Sequence, residues 1–320
     1  MHLGNYPTKV ERLDELSTES TGLWVKRDDA TNDVYGGNKV RKLEHLIRTA
    51  SERGARRILT FGAAGSHHVL ATTIHGSAAG FEVAAVLTPQ PFSGHARTNL
   101  QAALGAGLEP LPCPNIAMIP FVLARAVRSG DYVVPPGGSN VTASMGYADA
   151  ADELAEQVAT GCMPQPDVIV VALGSGGTAA GLTAGLENTA LTSRLAAVRV
   201  VEPPLVTKTS ALLLALGVAR RRRCRTSLRA LSRRFELVRD RLGRGYGHPT
   251  AWGEEAMERA GRVGLTLEPT YTAKAFSHAL RLVEQGHFRN VLYWHTLSGA
   301  DLTARAEGIE VPAELEALWR

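Results

Sequence analysis

Cysteine is scarce. Three residues, Cys113, Cys162 and Cys224, stand far apart in a chain of 320. An odd, scattered set suits neither a disulfide framework nor a zinc knuckle, and it fits a reducing compartment, so a cytoplasmic setting is expected. Long apolar runs are missing too. The longest, residues 211–219, falls far short of the roughly 20 residues that a membrane-spanning helix needs. The opening stretch has no basic segment leading into an apolar run, so no secretory signal is expected. Lysine is rare as well, at positions 9, 26, 39, 42, 208 and 274 only, and arginine carries most of the positive charge.

What is present suits a globular chain. Hydrophobic residues make up 44%, enough for real cores, and the length suits about two domains. Such a composition argues against disorder. The formal net charge of +4 hides an imbalance: residues 220–244 hold eleven arginines beside only Glu236 and Asp240. That stretch carries +9, which leaves about −5 for the rest of the chain. Leu228, Leu231, Phe235, Val238 and Leu242 recur three and four residues apart, so the strip is expected to be one amphipathic helix with solvated arginines. Nucleic-acid binding is the sharper alternative, but no aromatic array accompanies the charge and no nucleic-acid partner is expected.

Strand-like and helix-like patterns alternate through most of the chain, the mark of parallel sheets covered by helices. Val40, Leu43, Leu46, Ile47 and Ala50 keep helical spacing and Gly54 closes that helix. Strands are expected at 57–61, 83–87, 132–134, 167–173, 197–201 and 290–294, with a further helix over 96–104. Gly161-Cys-Met-Pro-Gln-Pro166 interrupts two α/β runs, and a boundary is plausible near 150–165.

Gly174-Ser-Gly-Gly-Thr178 is the strongest local signal, set between a buried strand and a small-residue helix. Glycines let the backbone close around an anion, and a helix N-terminus offers unpaired N–H groups and a positive dipole end. The loop suits a phosphate monoester. It lacks the lysine of a nucleotide triphosphate loop, and its glycine spacing does not match the dinucleotide fingerprint. The plain alternative is a glycine-rich turn with only a packing role. Lys39 lies at the start of the first confident helix, where a cation opposes the helix dipole. A lysine held at low pKa forms Schiff bases, whereas a solvated lysine after a turn would be the bland reading. A Schiff-base lysine together with a phosphate nest is what pyridoxal phosphate requires. The histidines at 67, 68 and 75 lack a carboxylate or cysteine to complete four metal ligands, so no metal is expected.

Seven motifs occur in order: Val25-Lys-Arg-Asp-Asp29, Gly36-Gly-Asn-Lys-Val-Arg-Lys42, Gly137-Gly-Ser-Asn140 with Gly146-Tyr147, Gly174-Ser-Gly-Gly-Thr178, Gly245-Tyr-Gly-His-Pro249, Pro269-Thr-Tyr-Thr-Ala-Lys274 and His295-Thr296. Over residues 5 to 300 the chain resembles the D-cysteine desulfhydrase and 1-aminocyclopropane-1-carboxylate deaminase family of pyridoxal-phosphate enzymes. The resemblance implies two three-layer α/β domains with parallel sheets, the tryptophan synthase β-like fold, and the cofactor in the interdomain cleft. A discontinuous large domain (1–48 and 155–320) would enclose a small one (49–154). Lys39 would hold the cofactor, Asn38 would place its ring, and Gly174, Ser175, Gly176, Gly177 and Thr178 would bind its phosphate. Ser66 matches the substrate-carboxylate serine, Tyr246 and Tyr271 the two active-site tyrosines, and Thr296 the hydroxyl residue that meets the pyridine nitrogen. His67 stands where an asparagine is expected beside the ring hydroxyl, and with His68 it joins the candidate substrate contacts. A homodimer is implied.

The deaminase branch places a glutamate after the second tyrosine, where this chain has Thr272. A hydroxyl partner leaves the pyridine less protonated, which favours β-elimination with a leaving group that takes the electrons. A small amino acid losing a group from Cβ, giving pyruvate and ammonia, is the expected chemistry, on the D-cysteine desulfhydrase side. β-Replacement, cyclopropane opening and a non-catalytic binding role are the alternatives. Leu297-Ser298 replaces the family's two glycines and is expected to narrow the pocket or displace Thr296.

Overall fold

The structure is a computed structural model that describes residues 2–203 and 205–319. It divides into two compact units, one comprising Met1–Leu3, Leu43–Gly138 and Ala300–Arg320, the other Gly4–Lys42 and Ser139–Gly299.

The larger unit holds a six-stranded sheet. Its strands are β1 (Val10–Arg12) and β2 (Gly22–Arg27), with β7 (Val168–Leu173), β8 (Arg194–Arg199), β9 (Phe235–Val238) and β10 (Asn290–His295) from later in the chain. Their order is β1-β2-β10-β7-β8-β9, parallel except for the β1–β2 pair. Central strands read Val-Ile-Val-Val and Val-Leu-Tyr-Trp because helices cover both faces. On one face lie α5 (Val141–Ala159), α6 (Gly177–Leu186), α7 (Lys208–Arg221) and α8 (Leu228–Arg234), burying Leu154, Leu173, Leu182 and Trp294. On the other lie α9 (Ala251–Arg262) and α10 (Thr272–Gln285), burying Phe276, Ala279 and Tyr293. The start of α1 (Asn38–Glu52) also belongs to this unit.

The smaller unit has a four-stranded parallel sheet ordered β5-β4-β3-β6, from β3 (Arg57–Ala63), β4 (Glu82–Thr88), β5 (Leu108–Pro112) and β6 (Asp131–Val133). With it go α2 (His67–Ala78), α3 (Gly94–Gly105), α4 (Ile119–Ala126) and two terminal turns of helix, α11 (Thr303–Ala306) and α12 (Ala313–Glu316). These limits differ from the expected 49–154 at both ends. The whole of α5 packs on α6 in the larger unit. Residues 300–319 join the small sheet through the Gln90–Trp319 bridge, the Arg97–Glu316 ion pair and a hydrogen bond from Gln101 to the Ile309 carbonyl.

The arginine strip is not one helix. After α8 stops at Arg234 the chain runs straight into β9, which pairs with β8 at the edge of the large sheet. Arg234 makes the break: its guanidinium donates to the Leu191 and Ser193 carbonyls and to Glu187. Leu231, Phe235 and Val238 are buried, Leu228 is exposed, and the apolar spacing spans two kinds of element.

Candidate active site

The phosphate-like loop leaves β7 at Gly174 and enters α6 at Gly177. Gly176, at φ +91°, is the N-cap of α6 in the left-handed conformation that glycine favours, and it has no side chain of its own to cap the helix. The first N–H groups of a ten-residue helix therefore point at the loop with their dipole end. A Cβ on Gly177 would lie 2.6 Å from Ser139 Oγ and 3.0 Å from Lys42 Nζ, and one on Gly174 3.0 Å from the Tyr271 ring. Ser139 Oγ accepts from Gly177 N at 3.0 Å and is 2.7 Å from Ser175 Oγ. Asn38 Nδ2 donates to Thr178 Oγ1 at 3.2 Å, tying the lysine turn to the same helix start.

Lys39 and Lys42 are three residues apart, on one face of α1. Burial lowers the Lys39 pKa to about 8. Lys42 is pushed further down, by burial first and by the Lys39 charge second. A desolvated amine on Lys42 beside the glycine cradle suits a dianionic phosphate, and the desolvated amine of Lys39 one turn before it suits a Schiff-base partner. The turn rests on the chain after β10: Asn38 N donates to the Thr296 carbonyl, and a Cβ on Gly37, at φ +85°, would sit 2.8 Å from that oxygen. Ser298 Oγ accepts from Gly36 N at 2.9 Å and Leu297 is buried. The Leu-Ser pair therefore braces the lysine turn. The Thr296 hydroxyl makes no hydrogen bond among the described residues.

Tyr271 OH donates to Tyr246 OH at 2.9 Å, with the rings edge to face. Burial raises both phenols, Tyr246 to about 12 and Tyr271 further, so both keep their protons in neutral water. Glu268 fixes this pair from below. Its carboxylate accepts from the backbone N–H groups of Thr270, Tyr271 and Thr272, and the Thr272 hydroxyl is engaged with Glu268 as well. Lys274 Nζ donates to the Leu242 and Gly245 carbonyls, holding the loop that carries Tyr246.

Behind the lysine turn lies a buried ionic cluster. Asp28 accepts from Arg41 Nε and Nη2, Tyr147 OH, Trp294 Nε1 and Thr8 Oγ1, all at 2.7–2.9 Å. Arg41 also reaches Glu153 at 2.9 Å, and Glu153 pairs with Lys26. Burial alone would raise the Asp28 carboxyl. The charge and hydrogen bonds of Arg41, helped by Lys26 and Trp294, hold it below the ordinary range.

The remaining candidates lie in the smaller unit. Ser66 caps α2, its oxygen accepting from the N–H groups of His68 and Val69. His67 Nε2 is 3.0 Å from His95 Nε2. His68 is buried, with Nε2 2.9 Å from Thr60 Oγ1 and Nδ1 3.4 Å from Thr72 Oγ1, and so braces α2 against β3. His75 is buried too. Among the described residues no group of three His, Cys, Asp or Glu side chains is placed to hold a metal.

Loop, lysine turn and tyrosine pair thus come together in the larger unit, with four residues that the sequence reading left without a role. Lys42 stood at i+3 from Lys39, Ser139 lay inside a quoted motif, and Glu268 and Lys274 flank the second tyrosine. A family model described as pyridoxal-phosphate dependent enzyme matches residues 1–296. The chain belongs to that family. Pyridoxal phosphate is its cofactor, and the glycine N-cap of α6, the glycine cradle and the two desolvated lysines fit it. A Thermotoga maritima protein named "Putative 1-aminocyclopropane-1-carboxylate deaminase" is 32% identical over 303 residues, 91% of this chain and 93% of that protein. Nocardicin C-9′ epimerase of Nocardia uniformis subsp. tsuyamanensis is 34% identical over 308 residues, 91% of this chain and 90% of that enzyme. The crystal structure of a 1-aminocyclopropane-1-carboxylate (ACC) deaminase homologue superposes with a TM-score of 0.81 at 28% identity, covering 99% of this chain and 95% of that one. The fold is that of the tryptophan synthase β-like enzymes, mixed α/β with parallel sheets.

Proposed function

We propose that this enzyme is a β-eliminating lyase for a small amino acid with a leaving group on Cβ, of the D-cysteine desulfhydrase kind. The observation that carries the reading is the hydroxyl chemistry opposite the lysine turn. Thr296 offers an uncommitted hydroxyl, while the three buried carboxylates of the region are spent: Glu268 on three backbone N–H groups, Asp29 on Arg27 and Asp28 on Arg41. Bound here, pyridoxal phosphate would supply an electron sink for a deprotonated substrate, and Thr296, which the resemblance sets beside the ring nitrogen, would make that sink a weak one. A weak sink suits a substrate whose leaving group departs with the electron pair.

Lys39 Nζ, partly neutral near pH 8, takes the α-proton, a role typically contributing 10²–10⁴-fold. Ser66 and the N–H groups at the start of α2 receive the substrate carboxylate. Tyr271 spends its proton on Tyr246, so the Tyr246 proton is the one directed out of the pair, and Tyr246 is assigned to meet the leaving group. For a cysteine, one water is consumed and pyruvate, ammonia and hydrogen sulfide are released. The relatives' names support two other outcomes on the same residues, cyclopropane opening and proton return to Cα with inverted configuration. A homodimer rests on the sequence resemblance, and a cytoplasmic setting on three free cysteines.

The test is a panel of D- and L-amino acids with β-leaving groups plus the cyclopropane acid, read as pyruvate or 2-oxobutyrate, ammonia and change of configuration. Pyruvate from a β-substituted amino acid, lost in Lys39→Ala, is expected. Turnover of the cyclopropane acid alone, or inversion without pyruvate, overturns the reading.

A further inference from the structure

The arginine strip has no part in this chemistry, and the helical face that would have explained it does not exist. Of the eleven arginines in 220–244, three have partners: Arg222 pairs with Asp149 and Asp152, Arg234 is tied down as described, and Arg241 lies over Trp252. The other eight are exposed, and no hydrogen bond or ion pair engages their guanidinium groups among the described residues. Six of them, Arg220, Arg221, Arg223, Arg225, Arg229 and Arg233, fall within the fourteen residues 220–233, a stretch with no acidic residue. Local stability does not ask for them. Arg223 sits at φ +57° just after α7, a left-handed position where glycine is the favoured residue. Arg229 and Arg233 stand one turn apart on α8, roughly 6 Å along its axis.

We propose that the hairpin of α7 and α8 is a sequence-independent binding surface for the phosphate backbone of nucleic acid. Arginine rather than lysine supplies the charge, and its planar fork matches phosphate oxygens in pairs. Base reading is not built in, because the aromatic residue of the strip, Phe235, is buried. A membrane surface fits less well: α8 has seven residues, Leu231 points inward and Leu228 alone is exposed on it, far from the broad apolar face of an interfacial helix. A protein partner would call for a broad apolar or aromatic centre, and Leu213 and Leu228 are the large apolar side chains that the hairpin exposes among the described residues. The inference does not depend on which amino acid the enzyme transforms.

The test uses the holoenzyme and a fluorescent 20-nucleotide single strand of mixed sequence, titrated from 50 to 300 mM salt. Six free arginines limit the slope of log K against log salt to about −4, and a slope between about −2 and −4 is expected. Arg225→Glu/Arg229→Glu/Arg233→Glu should weaken binding at least tenfold and bring the slope near zero. Arg48→Glu/Arg56→Glu/Arg125→Glu, equal in charge change and placed in the smaller unit, should leave both nearly unchanged. Equal losses in the two triple variants would reduce the effect to net charge and overturn the proposal. So would no binding at 50 mM salt, or binding to phosphatidylserine vesicles without binding to the oligonucleotide.

Discussion

The burial of Lys39 makes a quantitative prediction about its amine. With a pKa of about 8 in place of 10.5, roughly a quarter of Lys39 is neutral at pH 7.5. An ordinary lysine would be neutral about one time in a thousand, so the gain in reactive amine is on the order of 250-fold. The rate at which apoenzyme recombines with pyridoxal phosphate, followed by the visible absorbance of the bound cofactor, should therefore rise with pH through a midpoint near 8. Lys42→Met separates two effects. Burial, rather than its neighbour, is what lowers Lys39, so the midpoint should stay near 8 in that variant. Removing the second amine from beside the glycine cradle should meanwhile cost a hydrogen-bonding contact, about 0.5–1.5 kcal/mol or roughly 2- to 12-fold in cofactor affinity. A cofactor-free readout is the rate at which Lys39 alone is modified by an amine-specific reagent. The sign also runs through stability. Between about pH 8 and 10.5 the unfolded chain holds a proton that folded Lys39 has lost, so the apoprotein gains stability as pH rises across that window. A modification midpoint above pH 10 would refute the burial argument for this lysine.

Asp28→Asn leaves buried Arg41 with Glu153 as its charged partner and should destabilise the larger unit by about 1–3 kcal/mol, read as a lowered denaturation midpoint. Glu268→Gln keeps the shape but cannot accept at both oxygens. Cofactor binding should persist while kcat falls at least tenfold, because the Tyr271 backbone loses its anchor; an unchanged kcat would remove Glu268 from the positioning of the tyrosines.

Legibility followed the range of the interactions involved. The strand-glycine-helix unit at 168–178 and the lysine turn at 36–39 could be read from sequence because backbone chemistry sets each within a dozen residues. The arginine strip misled because spacings of three and four residues describe a buried side of α8 and then continue, by coincidence, into an edge strand. What ended the helix was Arg234 capturing the Leu191 and Ser193 carbonyls from forty residues away, which no local pattern encodes. The membership of residues 300–319 was hidden for the same reason, since Trp319 finds its place against Gln90. Glu268 shows the reverse error. Its partners are the N–H groups two, three and four residues further on, a donor set that is present in every sequence and visible in none. The same holds for Lys42, whose meaning depends on a glycine 135 positions away having no side chain. Sites that one short motif carries are therefore legible, whereas a contact to a distant carbonyl or across a distant missing Cβ becomes legible only when the fold has brought the pieces together.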